Sequence, residues 1–446
     1  MAPRVVSRRT ILGTAAAGAA AVASLRLLGA GSDLLRSSDS SADWESPLSD
    51  EKARVAHLLR RATFGASAEE LDSAASEGFD RTLDRLLETP SALPPPPPAA
   101  SRPAQLQLWW ATHMLQSPTP FAERMTLFWH GHFTSDYRKV SLRTPYLYWQ
   151  NLSWREIALG DLRSMLMRVT TDPAMLRYLD LATSTGANPN ENYARELMEL
   201  FSLGVGNFTE DDVRAAAKAL AGWVEPRAGV RSSGRFVPAR AYRGGQLTFL
   251  GRTDDFDAEK VIDQILAQPA AAVFIVRKVV EQFVSARVDD SYVRRLADRF
   301  RSGGYQVKSL MREVFTSPEF AADGSYRALV KAPVEMMVNA LKALKAPGLA
   351  RLLPQFGPSL GHSLFDPPDV SGWPNNQAWI SSQNVVARVN FVTAAVHQAS
   401  SLPPAREALA QLDGVLSKQT SQVIDAARDD RARWLAALAS PEFQLK

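Results

Sequence analysis

Apolar residues recur at intervals of three and four along most of this chain, the spacing that gathers them on one face of an α-helix. In "DEKARVAHLLRRATFGAS", Val55, Leu58, Leu59 and Ala62 keep that spacing, and Gly65 falls where a helix would stop. Ser67 and Glu70 then form a capping box: the serine hydroxyl satisfies free amides while the glutamate reaches back, so a second helix follows at once. Helical periodicity or caps continue over 104–117, 119–130, 154–168, 190–203, 210–221, 258–268, 270–286, 290–302, 306–316, 332–345 and 385–399. Thr209 opens one of these helices, with acids behind it in the first turn where they complement the helix dipole.

Two stretches break the pattern. The run of prolines in "TPSALPPPPPAASRP" (89–103) favours an extended surface connector. Residues 232–251, "SSGRFVPARAYRGGQLTFLG", have glycines and short apolar alternation, which fits a small hairpin or a long irregular loop. The expected fold is all-α: a single large helical domain over 49–400 with long ordered loops, at most a small hairpin near 232–251, and a C-terminal helical extension over 401–446.

Composition adds a compartment. Residues 7–12, "SRRTIL", match a twin-arginine export signal, followed by a weakly apolar, alanine-rich run to Ala23 that is short for a bilayer span. Residues 1–23 read as that signal peptide and 24–48, rich in serine and aspartate, as a flexible tether. A chain without cysteine needs no oxidative folding outside the cell. The expected location is therefore periplasmic, cell-envelope or extracellular, with the membrane involved only during export. Without the three arginines of residues 1–23 the formal charge of +4 falls to +1. So balanced a body gives no electrostatic reason to expect a nucleic-acid partner.

Candidate chemistry begins with "FWHGHFTSD" (128–136). Thr119 and Pro120 start a helix, and Phe121, Met125, Phe128, Trp129 and His132 line one stripe of it. His130 sits about 200° around that helix from His132, so both imidazoles meet only if the chain leaves helical geometry near Gly131. Asp136 would then supply a carboxylate ligand or orient an imidazole. Otherwise His130 is a cationic residue at the helix end and His132 a hydrogen-bonded core residue. No cofactor is implied, and no stoichiometric transition metal is expected, because the two histidines diverge and cysteine ligands are absent.

The most specific stretch is "NPNENYARELMELFSLGVGNFTEDDVRAAAKALAGW" (188–223). Asn190 caps its helix, Glu191, Arg195 and Glu199 form an i, i+4 ladder, and Tyr193, Ala194, Leu197, Leu200 and Phe201 make the buried arc. Glu196 lies on the margin of that arc, where a carboxylate is partly desolvated and needs a donor from elsewhere; Arg60, Arg61 and the histidine region are the candidates. Glu191, Asn192 and Arg195 are candidate ligand-binding residues of the same helix. The loop "FDPPDVSGWPNNQAWIS" (365–381) combines Trp373 and Trp379 with Asp369 and Asn376, a mixture that suits either a sugar ring or a plug between helices.

Together with "HLLRRATFGAS" (57–67), "FWHGHFTS" and "TFLG" (248–251), these stretches resemble the domain-of-unknown-function 1800 family of exported bacterial proteins over roughly 50–395. The resemblance implies a largely helical protein, often encoded beside a second exported family of unknown function, number 1501, and implies no reaction. Many relatives carry histidine where Phe201 stands, and a His-Asp pair and a lysine where this chain has Tyr242, Arg243 and Leu247. The expected function is binding or accessory action with that companion. The alternative is a hydrolase acting on an extracytoplasmic polymer such as a glycan, with Glu196, His130, His132 and Asp369 as candidate catalytic residues.

Overall fold

The structure is a computed structural model, and it describes residues 45–97, 102–227, 231–287 and 289–446. The residues expected to form the signal peptide, nearly all of those expected to form the tether and part of the proline-rich stretch lie outside the described residues. Among the described residues, 23 α-helices stand against four strands of two or three residues, so the all-α class holds.

Most helix starts follow from local chemistry. Ser67 and Glu70 close their capping box, as do Thr209 and Asp212. Pro120 takes the first position of helix Pro120–His132, but Thr119 gives it no side-chain cap, because its hydroxyl accepts instead from the Ala92 amide at 3.1 Å. The single helix expected over 154–168 is two, Tyr146–Glu156 and Leu162–Thr170, separated at Gly160 and restarted by Asp161, whose side chain accepts from the Ser164 amide. Near 232–251 there are two ribbons, where a small hairpin at most, or a long irregular loop, was expected. Arg235–Phe236 pairs back to Trp223–Val224, and Leu247–Phe249 pairs with Arg252–Asp254. Leu250 and Gly251, at φ 45° and 78°, supply the left-handed turn that the second ribbon needs.

Contacts divide the chain into two compact units, each discontinuous in sequence. The first takes residues up to Thr82, Ala322–His362 and Pro374–Lys446. Helix Asp430–Ala439 packs there on Ser382–Gln398, with Trp434 fully buried and its indole N–H donated to the Pro403 carbonyl. Residues 401–446 thus belong to this unit's own core. The second unit takes Leu83–Ala321 and Ser363–Trp373 and is built around buried aromatics, among them Trp110, Trp129, Phe133, Trp154 and Phe201.

Candidate functional site

The helix Pro120–His132 stays helical through Gly131, so the two histidines do not converge. Both are buried, at 1% and 5% exposure, because neighbours cover the helix on both sides. His130 Nε2 accepts from the Phe365 amide at 3.1 Å, and its ring lies among Trp110, Phe365 and Trp373 at 5.0–5.2 Å. A lone pair therefore faces that amide, which corrects the expectation of a cationic His130.

His132 is held from two sides. Lys278 Nζ lies 3.1 Å from Nδ1, and an ammonium can only donate, so Nδ1 accepts and Nε2 carries the proton. That N–H donates to the Phe201 carbonyl at 3.1 Å. Burial, then the nearby Lys278 charge, pushes His132 well below the ordinary histidine range. Burial also brings Lys278 down to about 8, against the pull of Glu281. Lys278 donates to the Leu200 carbonyl as well, at 3.2 Å. The pair thus satisfies two carbonyls just past the end of helix Asn192–Glu199, groups that lack partners within their own helix.

Residues 363–373 are bound to the end of the histidine helix. Besides the His130 contact, Tyr137 N donates to the Phe365 carbonyl at 3.0 Å, Thr134 Oγ1 to Val370 at 2.6 Å and Gln107 Nε2 to Leu364 at 2.9 Å. Gly372, at φ 92°, lets the backbone pass so close that a Cβ there would lie 2.4 Å from the Gly131 carbonyl oxygen. Asp136 reaches neither imidazole. It caps the short helix Tyr137–Val140 through the Arg138 amide and pairs with the Arg138 side chain at 2.8 Å.

Asp369 is exposed and accepts from the Ser371 amide at 2.8 Å, an ordinary turn contact. Asn376 and Trp379 belong to the other unit. There Asn376 Oδ1 accepts from the Val330 amide at 2.8 Å, and the buried Trp379 stacks on His362 at 5.2 Å. With one face on His362 and little surface exposed, Trp379 fits the plug of the two readings and not the sugar ring.

The signature helix is shorter than expected, Asn192–Glu199, with Asn190 bonding to the Asn192 amide just ahead of it and Glu191 at the cap position. Arg195 grips Glu210 at 2.7 and 2.8 Å and touches Glu191 at 3.4 Å, so the ladder turns aside to the next helix and leaves Glu199 out. Asn192 is exposed and donates to Asp180 at 3.2 Å. Met198, not Leu200, completes the buried arc.

Glu196 is half-buried, and no hydrogen bond or ion pair engages its carboxylate among the described residues. The expected donors serve other groups: Arg60 pairs with Asp413 at 2.6 Å, and Arg61 donates to the Ser325 carbonyl. Burial, then the like charge of Glu199, raises the Glu196 pKa against Arg195. The charges of Glu196 and Asp369 both act on Tyr178. Its hydroxyl is pushed up to about 12 by burial, then by Asp136 and Asp369, with Arg138 opposing and Glu196 adding. Among the described residues no three histidine, aspartate or glutamate side chains gather as metal ligands.

The sequence reading missed a polar surface cavity of about 210 Å³ in the second unit. Helix Tyr146–Glu156 gives it Trp149, Ser153 and Glu156, helix Leu162–Thr170 gives Arg168, and Asp172 and Arg231 complete the wall. Asp172 is 2% exposed. It caps helix Pro173–Tyr178 through the Met175 amide at 2.9 Å and accepts from Gln150 Nε2 at 2.8 Å. Burial pushes it up to about 7, against those hydrogen bonds and Arg168. The only sequence signal was Asp172-Pro173, which announces a helix start and says nothing of a cavity.

The model of the family described as "Protein of unknown function (DUF1800)" matches residues 57–445. The chain belongs to that family. Comparison with curated proteins and with solved structures finds no match. At the position where the resemblance implied histidine, Phe201 is fully buried, 6.2 Å from His132 and 5.5 Å from Phe133. At the other departures, Tyr242 takes the Lys218 ammonium over its ring at 5.5 Å, Arg243 donates to the Pro238 carbonyl and Leu247 is buried.

Proposed function

We propose that this protein is an exported accessory protein that binds a companion exported protein, with the family of unknown function 1501 as the source of that companion. The supporting observation is the state of the histidine pair. Phe201 and Lys278 occupy both nitrogens of His132, which leaves it no free position for proton transfer to a substrate, and Phe365 occupies Nε2 of the buried His130. The half-buried Glu196 and the exposed Asp369 both reach solvent and are the groups a partner would meet.

Glu196→Gln is expected to change stability by no more than about 0.5 kcal/mol, as for a surface substitution that breaks no contact. The raised pKa sets the sign. Its contribution to stability is present at acid pH and lost as pH rises through the raised value, so any change at neutral pH is a small gain. Capture of the purified companion by Glu196→Gln should fall, while Glu199→Gln serves as control. Equal capture by both variants and the unaltered protein would remove Glu196 from the interface.

Export rests on "SRRTIL". Replacing Arg8 and Arg9 by lysine should leave the protein in the cytoplasm, and fractionation showing undiminished export would refute that route. Among the described residues no helix is long and apolar enough to cross a membrane.

A second reading, a hydrolase acting on an extracytoplasmic glycan, is favoured by one observation. Asp172 is an acid held near neutrality beside Glu156 in a cavity with an indole wall. Loss of glycan hydrolysis in Asp172→Asn, with hydrolysis present in the unaltered protein, would establish it.

A further inference from the structure

The charges around the 210 Å³ cavity do not balance within the protein. Glu156 is saturated by Arg231, whose two terminal nitrogens each lie 2.7 Å from a carboxylate oxygen. Arg168 makes no ion pair among the described residues and is half-buried in the same wall. The remaining acid is Asp172, and burial there favours its neutral form. A guanidinium left without a carboxylate in a shielded wall is a built receptor for one, since its planar fork matches carboxylate geometry.

The other lining groups narrow the ligand. Trp149 offers a flat apolar wall, rigid because it is 8% exposed and packed against Tyr146 at 5.6 Å. Ser153 Oγ accepts from Arg231 at 3.1 Å, so its own O–H is left to donate. The volume of about 210 Å³ lies below the roughly 300–1,000 Å³ typical of pockets for drug-sized ligands. A small hydroxylated molecule, or the terminal unit of a longer chain, fits this space.

We propose that this cavity binds a small hydroxylated carboxylate of sugar-acid size, its carboxylate on Arg168, its C–H face on Trp149 and its hydroxyls on Ser153 and Asp172. A phosphate dianion suits the site less well, because Arg168 is the one lining cation not already paired among the described residues, a single charge against two. The assignment is independent of the companion-binding reading and holds whether or not the site also hydrolyses anything.

The test is calorimetric titration of the full chain with D-glucuronate, D-glucose and inorganic phosphate. Glucuronate should bind saturably, with glucose and phosphate weaker by about tenfold or more, a difference of about 1.4 kcal/mol. Arg168→Gln should weaken glucuronate by a similar factor, with its melting temperature unchanged because no ion pair is lost. Absence of saturable glucuronate binding would overturn the proposal, as would glucose or phosphate binding equally well, or glucuronate binding unchanged in Arg168→Gln. Should Arg168→Gln fail to fold, the ranking of the three ligands on the unaltered protein decides.

Discussion

Replacing Arg155 by methionine should destabilise the protein by about 3–5 kcal/mol, the usual cost of stranding a buried charge. Arg155 and Glu123 are both fully buried and joined by two hydrogen bonds, one of them at 3.0 Å. Trp110 Nε1 also donates to this carboxylate at 3.0 Å, and His113 lies 3.2 Å from it. Burial alone would raise the Glu123 pKa, but hydrogen bonds from His113 and Arg155 outweigh burial and hold it at about 2. A depressed carboxylate stabilises the fold above its unfolded value of about 4.3, and that contribution is lost as pH falls towards 2. Without Arg155 the carboxyl protonates more readily, so the loss measured by denaturant unfolding should be smaller near pH 4 than at pH 7. Glu123→Gln combined with Arg155→Met should recover part of the loss. A loss below about 1 kcal/mol at pH 7 would mean that the pair is solvated, as exposed pairs are.

Gly372→Ala is the second large effect, expected at about 2–5 kcal/mol. It combines backbone strain at φ 92° with an overpacked contact, each worth roughly 1–3 kcal/mol. The new Cβ would meet the Gly131 carbonyl oxygen at 2.4 Å, and a backbone atom at a helix end cannot move aside cheaply. Residues 363–373 would have to lift, breaking Thr134 to Val370 and Phe365 to His130. Thermal unfolding should show the loss, and limited proteolysis should find new cleavage between Ser363 and Trp373. An unchanged melting temperature would mean that the loop does not lie against the helix end.

What the sequence revealed was local. Ser67 with Glu70, Thr209 with Asp212, and Pro120 each announce a helix start within four residues, and each helix is there. The helical periods and the family signature were legible for the same reason. Everything that decides the chemistry is long-range. Gly131 looked like a stop, yet the helix runs on to His132 because residues 363–373 and Lys278, both remote in sequence, close around its end.

Glu196 was correctly placed on a margin, but its expected donors, Arg60 and Arg61, are engaged by Asp413 and Ser325, contacts that no helical wheel contains. Asp172 caps a short helix that the periodicity did not announce, and the cavity beside it needs Trp149, Arg168 and Arg231 from three other segments. The two units are each assembled from separated stretches, so no boundary in composition marks them.

The central claim is that the histidine pair is structural, with His132 neutral and clamped between Lys278 and Phe201. The most direct test is nitrogen NMR of the protein labelled in its six histidines, assigned by His130→Gln and His132→Gln and followed from pH 8 to pH 5. The account predicts that His132 carries its proton on Nε2 throughout and does not titrate where a free histidine does, at about 6.5. It also predicts no change in either ring when zinc is added. A His132 that protonates near pH 6.5, carries its proton on Nδ1, or shifts together with His130 on zinc addition would contradict the structural role.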